Sequence, residues 1–268
     1  MKVSVGQFNP GGDVAGNLAV MRSLAASARD DGSRLIVFPE ESMFSVGRVP
    51  GDFTAAVDAQ WTTFVQGLSH IAADVGIAVV AGGYESSGEA RPYNTLVAVD
   101  DDGGILGTYR KLHLYDAFSY QESKRIKPGN SGITLVDIGG FRVGIMTCYD
   151  IRFPELARAL ALEGADLICV AAAWFKGDNK VDHWETLLKA RAIENTVWIA
   201  AAGTSSDHCI GHSAVLDPMG IPQDFLDDEP QGVATADVTH KRIEEVREFL
   251  PVLRNRRFGE GAVLAGAS

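Results

Sequence analysis

The sequence predicts a layered α/β fold with mixed sheets, and three observations predict it. Short apolar runs at 35–38, 77–81 and 167–172 have the length and branched side chains of strands buried on both faces. Between them lie longer segments with apolar residues three and four apart, so strands alternate with helices. Two pairs of strand-like runs are joined by short turns, Asp101-Asp102-Gly103-Gly104 and Gly139-Gly140. Such turns make antiparallel hairpins, so the sheets cannot be purely parallel.

In order, residues 3–8 read as a strand and 17–29 as a helix, with Leu18, Met21, Ala25 and Ala28 on one face. Strand 35–38 ends at Pro39-Glu40-Glu41. Helical spacing covers 61–75, and strand 77–81 closes at Gly82-Gly83. Hairpin strands follow at 94–99 and 105–109, then at 133–138 and 141–147. A helix is expected from Phe153, with Leu156, Ala157 and Leu160 on its face, and a strand over 167–172. The next helix spans about 182–194; Asp182 and Glu185 resemble a capping box, and Trp184, Leu187, Leu188 and Ala192 form the apolar face. Strands at 197–201, 213–216 and 233–238 and a helix over 243–250 complete the series. No linker or low-complexity segment divides the chain, so 1–268 reads as one domain. The tail from about Pro251, with Arg254, Arg256 and Arg257, is expected on the surface or against a partner subunit.

Composition narrows the function. Hydrophobic residues make up 46% of 268, enough for a sizeable core. A net charge of -11 argues against nucleic acid or an anionic membrane as the main partner, since both need a basic footprint. Residues 1–8 read as a strand rather than a secretory leader, and the longest apolar run, 165–175, is too short to span a membrane. Three cysteines are too few and too uneven for a disulfide framework, which favours a cytoplasmic setting.

One of those cysteines, Cys148, ends an apolar strand just before a helix. A thiol there faces a helix N-terminus, which is expected to lower its pKa and leave room for substrate. A buried, inert core thiol is the competing reading. Three further segments place charge at or just beyond strand ends, where α/β folds open their ligand crevices. Glu40 follows a buried strand; partial burial would suit it to general-base work, and a solvated loop acid is the alternative. Of Arg110 and Lys111, alternation sends one inward. Glu122 sits in a long connection before Lys127-Pro128-Gly129. A cysteine, a carboxylate and a lysine can together run acyl transfer without histidine.

The motifs carrying these residues resemble those of the nitrilase, or carbon–nitrogen hydrolase, superfamily. They are Phe38-Pro39-Glu40, Tyr109-Arg110-Lys111-Leu112-His113-Leu114, Gln121-Glu122-Ser123, Cys148-Tyr149-Asp150-Ile151-Arg152-Phe153-Pro154-Glu155, His183-Trp184, 190–195 and 211–220, in that order over nearly the whole chain. The resemblance implies a four-layer αββα sandwich that associates into homodimers or higher homo-oligomers, and a Glu–Lys–Cys triad. By position Glu40 matches the base, Lys111 the lysine and Cys148 the nucleophile. Glu122 matches the family's second glutamate, and the Tyr149 backbone N–H would join Lys111 in an oxyanion hole. The motif content is most similar to the branch of ω-amidases and deaminated glutathione amidases. That implies a small-molecule amide substrate bearing a carboxylate, a Cys thioester and release of ammonia. N-carbamoyl amide or nitrile hydrolysis, or a non-catalytic interaction protein on the same fold, are the alternatives.

The remaining candidates concern binding. Trp174 and Phe175 follow a strand and could wall a pocket or simply pack. Arg152 could bind a substrate carboxylate or brace its turn against Asp150, Glu155 or Asp166; with Lys176 it is the expected local cation. His208, Cys209 and His212 lack a second ligand cluster, so no metal or other cofactor is expected. His113 and His183 sit in no signature of a Cys–His hydrolase.

Overall fold

A computed structural model describes residues 1–259. The elements alternate as expected. They are β1 (Lys2–Gln7), α1 (Val14–Asp30), β2 (Ser33–Val37), α2 (Phe53–Val75), β3 (Ala78–Glu85), β4 (Tyr93–Val99) and β5 (Ile105–Arg110), then a small hairpin of β6 (Asp116–Ala117) and β7 (Tyr120–Gln121). The second half has β8 (Leu135–Ile138), β9 (Phe141–Thr147), α3 (Pro154–Leu162), β10 (Leu167–Ala172), α4 (Lys180–Asn195), β11 (Trp198–Gly203), β12 (Ala214–Leu216), β13 (Pro222–Phe225), β14 (Gly232–Asp237) and α5 (His240–Phe249).

Two six-stranded sheets result, in the orders β14-β1-β2-β3-β4-β5 and β13-β12-β11-β10-β9-β8. Each has three parallel strands joined by crossover helices, β1-β2-β3 and β9-β10-β11, flanked by antiparallel strands. One antiparallel strand lies beside β1 and one beside β9; two lie beyond β3 and two beyond β11. The halves therefore repeat one topology.

Alternation assigns the layers. Val3, Val5, Leu35, Val37, Ala78, Val80, Leu96 and Ala98 share one core with Val143, Ile145, Leu167, Cys169 and Ala200 of the second sheet. Ile36, Phe38, Val79, Ala81, Val97 and Val99 point the other way, onto Met21, Leu24, Phe64, Leu68 and Ile71 of α1 and α2. Leu156, Leu160, Trp184 and Leu188 cover the second sheet from α3 and α4. The order is helix, sheet, sheet, helix, as the resemblance implies. The sheets meet at the strand ends as well, where Phe8 bridges Thr204 in parallel.

The structure shifts two helix starts and adds elements the sequence did not show. α2 begins at Phe53, well before 61, because Asp52 caps it by accepting from Ala55 N at 2.8 Å. α4 begins at Lys180 rather than at a capping box on Asp182: Asn179, at φ 58°, turns the chain into the helix without a side-chain cap. β13 and the β6–β7 hairpin have no counterpart in the sequence reading. Of the tail, residues 251–259 are half-buried to exposed; 260–268 lie outside the described residues.

Candidate active site

Four strand-end segments bring Glu40, Lys111, Glu122 and Cys148 together. Pro39 lacks an N–H and ends the β2 ladder, which frees the chain to turn at Glu40. Gly82 of β3 permits that turn to pack closely: a Cβ there would lie 2.2 Å from the Glu40 carbonyl oxygen. Past β5, Lys111 N donates to the Asn94 carbonyl at 2.9 Å. Arg110 points outward to Glu85, with contacts of 2.8 and 2.6 Å, while Lys111 turns inward and is 2% exposed. Glu122 opens a short 3₁₀ turn after β7 and is buried.

Cys148 ends β9 at φ 47°, a left-handed conformation that is strained for a residue with a Cβ, and starts the 3₁₀ turn Cys148–Arg152. The turn is pinned by the fully buried Asp150 carboxylate. It accepts from Thr147 N at 3.1 Å, His113 N at 3.0 Å and the Tyr109 hydroxyl at 2.7 Å, and its contact with His113 Nδ1 is 2.7 Å. Asp150 thus ties the cysteine turn to the segment carrying Lys111. Tyr149 is the first residue past the cysteine, so its N–H has no partner within the turn.

The Lys111 ammonium donates to Glu40 Oε1 at 2.8 Å and to Glu122 Oε2 at 2.9 Å. Asn94 Nδ2 also reaches both carboxylates, at 2.7 and 3.3 Å. Glu40 Oε2 accepts from Ala173 N, just past β10, at 2.8 Å, and Glu122 Oε2 from Tyr115 N at 2.6 Å. The Cys148 thiol faces the Glu40 carboxylate across the cleft. Asn94 was absent from the sequence candidates because one amide in a strand carries no signal of its own.

Burial pushes the Glu40 carboxyl up, but the Lys111 charge and the hydrogen bonds from Lys111 and Ala173 outweigh it and hold the pKa below the ordinary value. Lys111 rises well above its ordinary value: burial opposes the charge, and Glu122 and Glu40 more than offset that. Cys148 also rises well above its ordinary value, through burial and the facing Glu40 charge, with Lys111 opposing. The expected lowering of the thiol pKa is therefore overturned. Desolvation and an adjacent carboxylate outweigh a one-turn helix end.

Cys148, Glu40, Lys111 and Glu122 line one cleft with Glu41, Tyr84, Tyr115, Tyr120, Trp174, Phe175 and Lys180. Trp174 is buried, its Nε1 donating to the Lys180 carbonyl at 2.9 Å; Phe175 is partly exposed. Glu41 is held apart from Lys111, accepting from the Tyr84 hydroxyl at 2.9 Å. Arg152 does not reach the cleft lining, and it makes none of the braces weighed for it. It stacks over the Trp174 ring at 4.7 Å, with His183 Nδ1 3.5 Å from Nη2. Lys176 is exposed and outside the lining. Besides Lys111 the cleft lining carries two cations, the exposed Arg125 and the buried Lys180, both of which sequence reasoning passed over. His113 is turned to Asp150 and stacks on Phe153 at 3.7 Å. Cys169 lies in the core and Cys209, pushed up to about 12 by burial, is also buried. Among the described residues no cluster of three or more His, Cys, Asp and Glu could hold a metal, and no helix is long and apolar enough to cross a membrane.

Comparison with known proteins agrees with this geometry. The chain is 37% identical over 269 residues to deaminated glutathione amidase from Escherichia coli O157:H7, covering 98% of this chain and 100% of that protein. It is 31% identical over 262 residues to omega-amidase NIT2 of Danio rerio, covering 91% and 90%. It superposes with a TM-score of 0.83 on a variant of an amidase from Nesterenkonia sp. AN1, 29% identical and covering 96% and 94%, whose active-site cysteine carries the acetamide moiety of fluoroacetamide. The carbon–nitrogen hydrolase family model matches residues 2–248, nearly the whole of the described fold, and the chain belongs to that family.

Proposed function

We propose that this enzyme hydrolyses the C–N bond of a small linear amide through a thioester on Cys148 and releases ammonia. The observation that carries the reading is the convergence of Glu40, Lys111 and Glu122 on one buried thiol. Glu40, ionised, takes the thiol proton as sulfur attacks the carbonyl carbon. The oxyanion that forms meets the Lys111 ammonium and the Tyr149 N–H. Protonated Glu40 gives its proton to the leaving nitrogen, ammonia departs and the acyl group stays on sulfur. Glu40 then activates water, and a second tetrahedral collapse frees the acid and the thiol. Glu122 and Asn94 position Lys111 and Glu40 and take no proton in this scheme.

The two named relatives support an amide that also carries a carboxylate, as deaminated glutathione does. Exposed apolar side chains on the second half, Leu162, Ile193, Ile221, Phe225 and Phe249, support a homodimer or higher homo-oligomer. Residues 1–268 are read as one catalytic domain acting in the cytoplasm.

The test is ammonia release across a panel of amides, N-carbamoyl amino acids and nitriles, with intact-mass detection of an acyl adduct. Amides should turn over, the adduct should form on Cys148, and Cys148→Ala should abolish both. Full activity in Cys148→Ala on the best substrate would overturn the mechanism.

A further inference from the structure

The cleft beside Cys148 holds a cation that the proposed chemistry leaves unused. Lys180 is 7% exposed and lines the cleft together with Cys148. Its ammonium donates to the Tyr115 hydroxyl at 2.9 Å. Aromatic faces supply the rest of its surroundings, with the Phe118 ring at 3.7 Å, Tyr115 at 5.3 Å and Trp174 at 5.8 Å. None of the ion pairs among the described residues involves Lys180 or its neighbour Arg152. The Arg152 Nε is itself buried without a partner. Among the described residues no Asp or Glu forms an ion pair with either cation.

A largely buried ammonium without a counter-charge is costly, and the cost is recovered when an anion arrives. Burial and the Arg152 charge accordingly push the Lys180 pKa down. The Tyr115 hydroxyl keeps its proton at neutral pH, since burial and the nearby Cys148 raise its pKa. Accepting from Lys180 leaves that phenol proton free to donate. The cleft therefore offers two adjacent donors, ammonium and phenol, among aromatic walls. Two donors match the two oxygens of a carboxylate, whereas a phosphate would leave further charged oxygens unpaired.

We infer that Lys180 and Tyr115, with Arg152 adding positive field beside Trp174, form the subsite for a carboxylate at the end of the substrate remote from the scissile amide. This rests on the reading of Cys148 as the acyl-forming nucleophile. A substrate with a methyl group in place of that carboxylate leaves the ammonium unpaired and is disfavoured.

The experiment compares kcat/KM for succinamate against butyramide, and for glutaramate against pentanamide, in the wild type and in Lys180→Met, Lys180→Gln and Lys180→Arg. The acid-to-neutral ratio should fall at least tenfold in Lys180→Met and Lys180→Gln, mainly through KM, and recover most of the loss in Lys180→Arg. A ratio within twofold of wild type in both neutral variants overturns the subsite while leaving the amidase reading intact. Should the wild type release ammonia from none of the four, the amidase reading fails, and the subsite is judged by protection of Cys148 from iodoacetamide. Succinate should then protect at lower concentration than the neutral succinamide, with the advantage lost in Lys180→Met; equal protection by the two overturns it.

Discussion

Glu40 keeps its charge although buried, because Lys111, Asn94 and the Ala173 N–H all donate to it, while Cys148 keeps its proton because that charge faces it. The resting pair is thus carboxylate and thiol, so in the proposed mechanism proton transfer accompanies attack. Two consequences follow from the direction of the shifts. A carboxyl whose folded pKa is lowered stays ionised to lower pH, so base function is lost only as pH falls below the ordinary 4.5. The acid limb of kcat/KM for a neutral amide should therefore lie below 4.5, and a limb above it would contradict the charge assignment. Glu40→Gln removes both the base and the charge that raises the thiol pKa. Turnover should fall by about 100-fold or more, while the pH midpoint for iodoacetamide alkylation of Cys148 moves down. An unmoved or raised midpoint would count against the arrangement. At this scale the charged residues were legible because each follows a strand end within a specific motif. Lys180 was not: burial of a lysine by aromatic rings from distant segments leaves no local mark, and Arg152 and Lys176 were the cations named instead.

The β9–α3 connection sets Cys148 by a strained turn held from outside. A left-handed non-glycine residue costs about 1–3 kcal/mol and persists only where neighbours over-determine it. Asp150 supplies that constraint through Thr147, Tyr109 and His113. Asp150→Ala leaves those donors without a partner in a buried place, so urea unfolding should show a loss of about 3 kcal/mol or more, with activity falling as Lys111 and Cys148 lose their common anchor. A variant as stable as wild type would show that the turn holds itself. Strands with uniform apolar runs were readable from sequence, since nothing else buries both faces. Elements with mixed faces were not. The first turns of α2 bury only Val57, so the pattern there is faint, although the Asp52 cap was a usable signal. β13 is largely exposed and owes its existence to pairing with β12 rather than to its own composition.

For the whole molecule, the repeated topology explains why the site lies between the halves. Glu40 follows β2 and is anchored by the residue after β10, the corresponding middle strand of the second sheet. No single half carries Glu40 and Cys148 together, and this relation between halves is invisible in a one-dimensional pattern because the halves share layout rather than motif. The exposed apolar side chains of the second half lead to an expected solution mass of at least twice 28.6 kDa by sedimentation equilibrium, with Ile193→Glu shifting it downward. A wild-type mass of one chain at micromolar concentration would refute the association. The pairing of β14 with β1 has a consequence for biosynthesis. β1 is synthesised well before its partner β14, so the first sheet has an unpaired edge until residues 232–237 emerge. During that interval the nascent chain already contains Cys148, and an exposed edge beside apolar strands is where a chaperone would be expected to hold it.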